Sequence, residues 1–230
     1  MRKLIGLLII VGLSGLSISA RADDMQKLDS RLEAAQDTLQ SIMKGPHSIP
    51  DAIASKAYCI GVVPGLIKGA FIFGAEYGQG VVTCRTRHGW SGPVFIRMAG
   101  GSWGFQIGGS GTDLVLVAVN HKGFEDLLDD KFKIGATAQA AAGPVGRKAS
   151  AATDLSMRAE LLTWSRSHGI FAGVDLSGVS VSQNASDTDE FYHSVHTYNQ
   201  ILSGDVAPPK AALPFLRTVS RYFGQARANS

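Results

Sequence analysis

Two stretches of this chain combine cations, glycine and small residues in a pattern suited to an anion. The first is Ala141-Ala142-Gly143-Pro144-Val145-Gly146-Arg147-Lys148-Ala149; the second is Ser165-Arg166-Ser167-His168-Gly169-Ile170-Phe171-Ala172-Gly173. Glycine-permitted turns expose successive backbone N–H groups, and a nearby Lys or Arg supplies the opposite charge, so that together they hold a phosphate oxygen. Lys68, after the Pro64-Gly65 turn, and Arg85 and Arg87 at a strand end keep similar company.

Bond-breaking chemistry is less well supported. Gly100-Gly101-Ser102-Trp103-Gly104 is a literal match to G-x-S-x-G, which would make Ser102 the nucleophile of an ester hydrolase. That motif requires a strand before the serine and a helix after it. Phe105-Gln106-Ile107-Gly108-Gly109 is strand-like instead, and Gly100-Gly101 reads as a hairpin or bulge. Asp113 and Asp154 each follow a threonine. They form either an acid–base pair or, the preferred reading, turn and cap residues. Gly78-Gln79-Gly80 begins like a dinucleotide fingerprint but lacks the third glycine and leads into a strand. Cys59 and Cys84 are the two cysteines. They are either a bridge in an oxidising compartment or two buried thiols in neighbouring strands. With no paired histidine spacing they make no zinc site, and no cofactor is expected.

The N-terminus sets the electrostatic frame. Arg2 and Lys3 precede an apolar run from Leu4 to Leu16, and Ala20-Arg21-Ala22 is a small-x-small cleavage site. This is the layout of a secretory signal peptide over residues 1–22, so an exported, periplasmic protein is expected. The run is too short for a bilayer-spanning anchor. Removing Arg2, Lys3 and Arg21 from 22 basic residues leaves 19, equal to the 19 acids. With no net charge on the processed chain, nucleic acid is not an expected partner, and anion binding must come from local clusters. Setting 22 residues aside from 230 leaves 208, enough for one large domain with its own core.

These residues must be positioned by an α+β domain. Leu28, Leu32, Ala35, Leu39, Ile42 and Met43 recur at helical spacing and predict a helix over Met25–Met43, stopped by Gly45-Pro46. Pro50-Asp51 opens a short helix through Ala57. Strands are expected at 58–63, 70–77, 80–85, 93–98, 103–107 and 114–119, the last apolar on both faces and therefore central. Further strands are expected near 160–165 and 171–176, and helices at 122–130, 189–202 and 210–222. Such closely spaced, glycine-rich strands predict an antiparallel sheet or partly closed barrel with flanking helices. The last helix carries Lys210, Arg217 and Arg221. It is read as docking its apolar side on the sheet rather than lying on lipid.

The ordered blocks of the chain resemble the SYLF family of lipid-binding domains. They are Ile49-Pro50, Val63-Pro64-Gly65-Leu66-Ile67-Lys68-Gly69-Ala70, Tyr77-Gly78-Gln79-Gly80-Val81-Val82, Trp90-Ser91-Gly92-Pro93, Gly100-Gly101-Ser102 and Thr112-Asp113-Leu114-Val115-Leu116. Ala142-Gly143-Pro144-Val145-Gly146-Arg147, Thr153-Asp154, the Ser165–Gly173 stretch and Phe191-Tyr192 complete the order. The likeness covers about residues 33 to 223. It implies an N-terminal helix over 23–48, a SYLF-like domain over 49–223 and a tail over 224–230. It also implies non-enzymatic association with membranes through anionic phospholipid, phosphoinositides in the eukaryotic members. The signal peptide places this chain in an exported bacterial branch, at the envelope. Lys68, Arg147 and Arg166 are carried over as head-group contacts, with Lys148 and His168 as their neighbours, and an envelope protein is a further partner.

Overall fold

The computed structural model describes residues 14–71, 73–103, 108–120, 122–123, 125, 131–134, 140–143, 161–167, 170–171, 176 and 178–224. Its centre is a strongly extended sheet. Strands β1 (Cys59–Phe71), β2 (Phe73–Thr86), β4 (Val94–Trp103), β5 (Gly108–Ala118) and β8 (Leu161–Ser167) carry most of it. β6 (Lys131–Lys133), β7 (Ala140–Ala142) and β10 (Ser180–Gln183) extend it, in the order β6-β10-β4-β2-β1-β5-β8-β7. Two-residue strands β3 (Gly89–Trp90) and β9 (Ile170–Phe171) pair with β2 and β8. All pairs are antiparallel except β7 with β8. Among the described residues the sheet is open: β6 and β7 are its edges, so the barrel alternative is set aside.

Both faces of the sheet are covered near the chain's Cys59 end. On one face, α1 (Ser14–Lys44) lays Leu28, Leu32, Ala35, Leu39 and Ile42 over Ile60, Val62, Val81, Phe95, Val115 and Val117. The helical period read from these residues is the buried stripe, although the helix begins well before Met25. α2 (Asp51–Ala54) and α5 (Leu213–Phe223) join this face, with Phe215, Leu216, Val219 and Phe223 buried. The terminal helix therefore docks by its apolar side, as expected. The opposite face packs Val63, Leu66, Ile96, Met98, Leu114 and Leu116 against Ile201 and Leu202 of α4 (Tyr198–Leu202).

Four boundaries differ from expectation, each for a local reason. Pro64-Gly65 does not end the first strand. It forms a bulge inside β1, where the register with β5 shifts between Val63 and Leu66 and Gly65 takes φ 59°. Gly100-Gly101 is neither hairpin nor bulge, for β4 runs through it in register with Glu76 and Ala75. The segments 70–77 and 80–85 belong to a hairpin whose strands meet at the Phe71–Phe73 pair. The helix expected over 189–202 is two helices. α3 (Ala185–Tyr192) ends where His193 adopts a left-handed φ of 54°, and α4 starts afresh with Thr197 and Gln200 in a capping box. Residues 122–123 and 125 are helical; the rest of 122–130, and the strands near 103–107 and 171–176 in part, lie outside the described residues.

The bulge explains the Gly78-Gln79-Gly80 motif. The extra residues put Val63 and Leu66 on the same face, directly against β2. A Cβ at Gly80 would lie 2.3 Å from the Val62 carbonyl oxygen, and one at Gly78 would lie 2.7 Å from Leu66 Cδ1. The motif is therefore a seat for the bulge, not a phosphate loop. Gly80→Ala is expected to cost about 3 kcal/mol, because backbone rather than a flexible side chain must move. Gly111→Ala meets open space and should leave the melting temperature nearly unchanged. Comparing the two melting temperatures checks this.

Candidate functional site

The residues singled out for anion binding separate in the structure. Arg166 sits in β8 directly opposite Asp113 of β5, and its Nη2 donates to Asp113 Oδ2 at 3.3 Å. The other carboxylate oxygen, Oδ1, accepts the Gly65 N–H at 3.1 Å. Asp113 thus ties the β1 bulge to β8 and matches the charge of Arg166; its role is structural, but it acts from within β5 rather than as the turn or cap residue expected. Lys68 lies in β1, paired in register with Glu76 and Ser110. That is three residues along β5 from Asp113, about 10 Å at strand spacing. Arg147, Lys148, His168 and Asp154 lie outside the described residues. Ser102 occupies a position inside β4, and β5 follows from Gly108, so the strand–turn–helix setting of a nucleophile elbow is not formed there.

Arg85 also has a structural role. Its guanidinium donates to the carbonyls of Ala57 (3.0 Å), Ala54 (3.3 Å) and Phe223 (2.5 Å) and lies 4.8 Å from the Trp90 ring centroid. It locks α2 and the end of α5 to the sheet, and its stacking on Trp90 adds a cation–π contact.

Strand pairing assembles a different group of cations. Lys131 of β6, Ser182 of β10, Arg97 of β4 and Gln79 of β2 occupy one row across the sheet. Asp113 and Arg166 continue it beyond the β1 bulge. Lys133, Ser180, Ala99, Tyr77, Ile67 and Gly111 form a second row, two residues along each strand and hence on the same face. Lys131, Lys133 and Arg97 are exposed. This face is the one α1 packs on, since Phe95, Val81 and Val115 lie two residues to the other side of the first row.

α1 and α3 brace that row. Arg31 of α1 reaches Asp187 Oδ2 at 2.5 Å and Gln79 Oε1 at 2.9 Å, with its guanidinium carbon 5.4 Å from the Phe95 ring centroid. Arg97 Nη2 donates to Asn184 Oδ1 at 2.6 Å, a neutral partner that leaves its charge uncompensated by that contact. Lys131, Arg97 and Arg31 escaped sequence reasoning because they lie far apart along the chain and none sits inside a glycine motif. The available signal was the alternation of Arg97 with apolar neighbours in a strand. A cleft of about 410 Å³ between α1 and α5 has the wrong sign for an anion: Asp29, Glu33 and Asp37 line it, with Leu32 and Phe215 among its apolar walls.

Beneath Arg97, Tyr198 is buried. Its hydroxyl donates to the Phe95 carbonyl and accepts the Asn184 N–H at 2.7 Å. Burial pushes the Tyr198 phenol up to about 12 and raises Tyr192 still further. A folded protein that holds these protons while the unfolded chain releases them loses stability as pH rises past 10. The expected slope is about 1.4 kcal/mol per pH unit for each phenol until the folded-state value is reached. Urea unfolding followed from pH 8 to about 11 should be flat first and then decline.

Comparison with known proteins identifies the lineage. Residues 99–222 match the family model described as "Ysc84: Las17-binding protein actin regulator". The chain belongs to the Ysc84 (SYLF) family. It is 30% identical over 215 residues to LAS seventeen-binding protein 3 of Saccharomyces cerevisiae, covering 89% of this chain and 47% of the yeast protein. Protein YSC84 of the same yeast is 30% identical over 213 residues (88% of this chain, 45% of that protein). Human SH3 domain-containing YSC84-like protein 1 is 32% identical over 172 residues (73% of this chain, 50% of that protein). The chain spans about half the length of the curated relatives it matches. The family model begins at Ala99, part-way through β4, and takes in Asp113 and Arg166 but not Arg97. The names of these relatives describe binding and regulation.

Proposed function

We propose that this protein is a non-enzymatic, peripheral binder of anionic phospholipid, exported to the periplasm and acting at the bacterial envelope. The observation that carries the reading is the row of exposed cations on one face: Lys131 and Arg97, with Lys133 beside them. Basic side chains spread over a sheet face, rather than enclosed in a pocket, act as point charges toward a charged surface. Lys68, Arg147 and Arg166, carried over from the family likeness, and their neighbours Lys148 and His168 stay with the reading as a second set to be replaced by glutamate.

Such a surface measures charge density, not head-group identity. Vesicles carrying phosphatidylglycerol, phosphatidylserine or cardiolipin at matched surface charge should bind the chain with affinities within a few-fold of one another. Equal binding to uncharged phosphatidylcholine vesicles would refute the proposal.

A second reading takes its support from the family description, which names a protein partner and actin regulation. In it, an envelope protein occupies the same surface. Capture of one defined partner from an envelope extract stripped of lipid, abolished by replacing Arg97, would favour it.

A further inference from the structure

Beyond the cationic row, β1, β2, β4 and β5 continue as a four-stranded arm. β8 stops at Ser167, paired with Thr112, whereas β5 extends to Gly108 and β1 to Phe71. The first row of the arm on the α1 face is Ala99–Tyr77–Ile67–Gly111. Two residues on, the register positions are Gly101–Ala75–Gly69–Gly109, and two beyond those are Trp103–Phe73–Phe71. Besides the Tyr77 phenol and the Trp103 indole N–H, no residue type in these three rows carries a polar side-chain group. The alternate register positions carry Gly100–Glu76–Lys68–Ser110 and Ser102–Gly74–Ala70–Gly108.

The burial runs opposite to the pattern of a water-facing sheet, in which polar residues face outward. Ile67 is 58% exposed and Tyr77 48%, and Ala75, Ala99, Gly101 and Gly111 are exposed as well. On the reverse, Glu76 is only 5% exposed, and Gly100 lies against Val179. A contiguous exposed apolar face bordered by charge marks a contact surface rather than scattered exposure. Its border says what the contact is. Lys133 shares the first apolar row, and Lys131 and Arg97 lie in the row behind it, on the same face. Cations behind an apolar wedge fit phosphates lying above acyl chains. The three rows span four residues, about 13 Å, comparable with the roughly 5–10 Å that interfacial elements reach into a leaflet. Aromatic residues at the far register positions suit the membrane interface.

We infer that residues 67–71, 73–77, 99–103 and 108–111 form a membrane-inserting arm. Its apolar face enters the head-group and acyl boundary of an anionic bilayer, while Arg97, Lys131 and Lys133 contact phosphates. This rests on the anionic-membrane reading and gives it an orientation.

The test places a polarity-sensitive fluorophore on the arm of the full chain. Cys59 and Cys84 are bonded to each other, so Ala75→Cys offers a single thiol on the exposed face, and Ala52→Cys, exposed on α2, is the control. With phosphatidylcholine vesicles containing phosphatidylglycerol, the probe at 75 should shift to the blue and be quenched by nitroxide lipids, while the probe at 52 stays in water. In parallel, Ile67→Ser with Tyr77→Ser should weaken vesicle binding more than tenfold while the melting temperature falls by only a few degrees, since both side chains are exposed and no like charges are set opposite each other across the β1–β2 ladder. Co-sedimentation with position 75 still in water would overturn the arm while leaving head-group binding intact. Failure to co-sediment would overturn both. A probe at 75 already shielded without vesicles, in a protein sedimenting as a dimer, would assign the face to a second copy and overturn the proposal.

Discussion

Replacing Arg97 and Lys131 together by glutamate is expected to weaken binding to anionic vesicles by a hundredfold or more. A basic residue near an anionic leaflet contributes about 1 kcal/mol, and reversing its sign turns that attraction into a comparable repulsion. Two reversals therefore remove about 4 kcal/mol, nominally near a thousandfold, and rearrangement of neighbouring cations recovers part of it. The fold should tolerate the change. Lys131 is exposed on the edge strand β6, and Arg97 gives up one hydrogen bond to Asn184, worth about 1–2 kcal/mol. The matched control is Arg217→Glu with Arg221→Glu on α5. Those two exposed cations sit on a helix whose buried side packs against α1, away from the row. The control should weaken binding only several-fold. Equal losses in both variants would mean that net charge, not this face, governs binding, and the row would lose its assigned role. Vesicle titrations at one ionic strength decide it, because the contribution of exposed charges falls with salt.

The second large effect is on stability. Cys59 and Cys84 are register partners on β1 and β2, joined by a disulfide, and both are fully buried. The bond closes a loop with a sequence separation of 25 residues, so in the chain-entropy account it stabilises the fold by about 3–4 kcal/mol. Reduction should lower the melting temperature by roughly 10 °C, given about 2–4 °C per kcal/mol for a chain of this size. The bond fastens the start of the bulged hairpin, at the end of the sheet opposite the proposed arm. Losing it should therefore lower stability without changing vesicle affinity at a temperature where the protein stays folded. An unaltered melting temperature after complete reduction, verified by thiol counting, would contradict this account.

Much of the framework was legible because it depends on local chemistry. The Leu28–Leu32–Leu39–Ile42 stripe has the helical period and is buried as read. Leu114–Val119 is apolar on both faces and became an interior strand, flanked by β1 and β8. The errors arose where one residue pattern serves two structures. Pro64-Gly65 terminates strands in most contexts, and only pairing with Asp113 and with Gly78 and Gly80 makes it a bulge. Gly100-Gly101 looks like a turn, but the strand runs through it and needs glycine at 100, because Val179 crosses that position. The break at His193 had no glycine to announce it, although the Thr197 to Gln200 spacing was a helix-start signal that passed unread.

The candidate site was less legible, for a reason of register. Anion chemistry was sought where cations and glycine are neighbours in the chain. The row of Lys131, Arg97, Asp113 and Arg166 instead draws on four strands, β6, β4, β5 and β8, brought into line by pairing through β10, β2 and the bulged β1. Arg166 lies in one of the two stretches read for anion binding, and its partner across the ladder, Asp113, decides how much of its charge faces outward. Nor could alternation alone show that Ile67 and Tyr77 lie on an uncovered face, because the bulge at Gly65 reverses the parity of β1.

The most direct measurement is co-sedimentation of the chain, alongside its Arg97→Glu/Lys131→Glu variant, with vesicles of graded phosphatidylglycerol content at low and moderate salt. The account predicts that wild-type binding rises with anionic content, falls with salt, and exceeds that of the variant most where the surface is most charged. Binding that ignores both anionic content and salt, or that is the same for the two proteins at every composition, would contradict it.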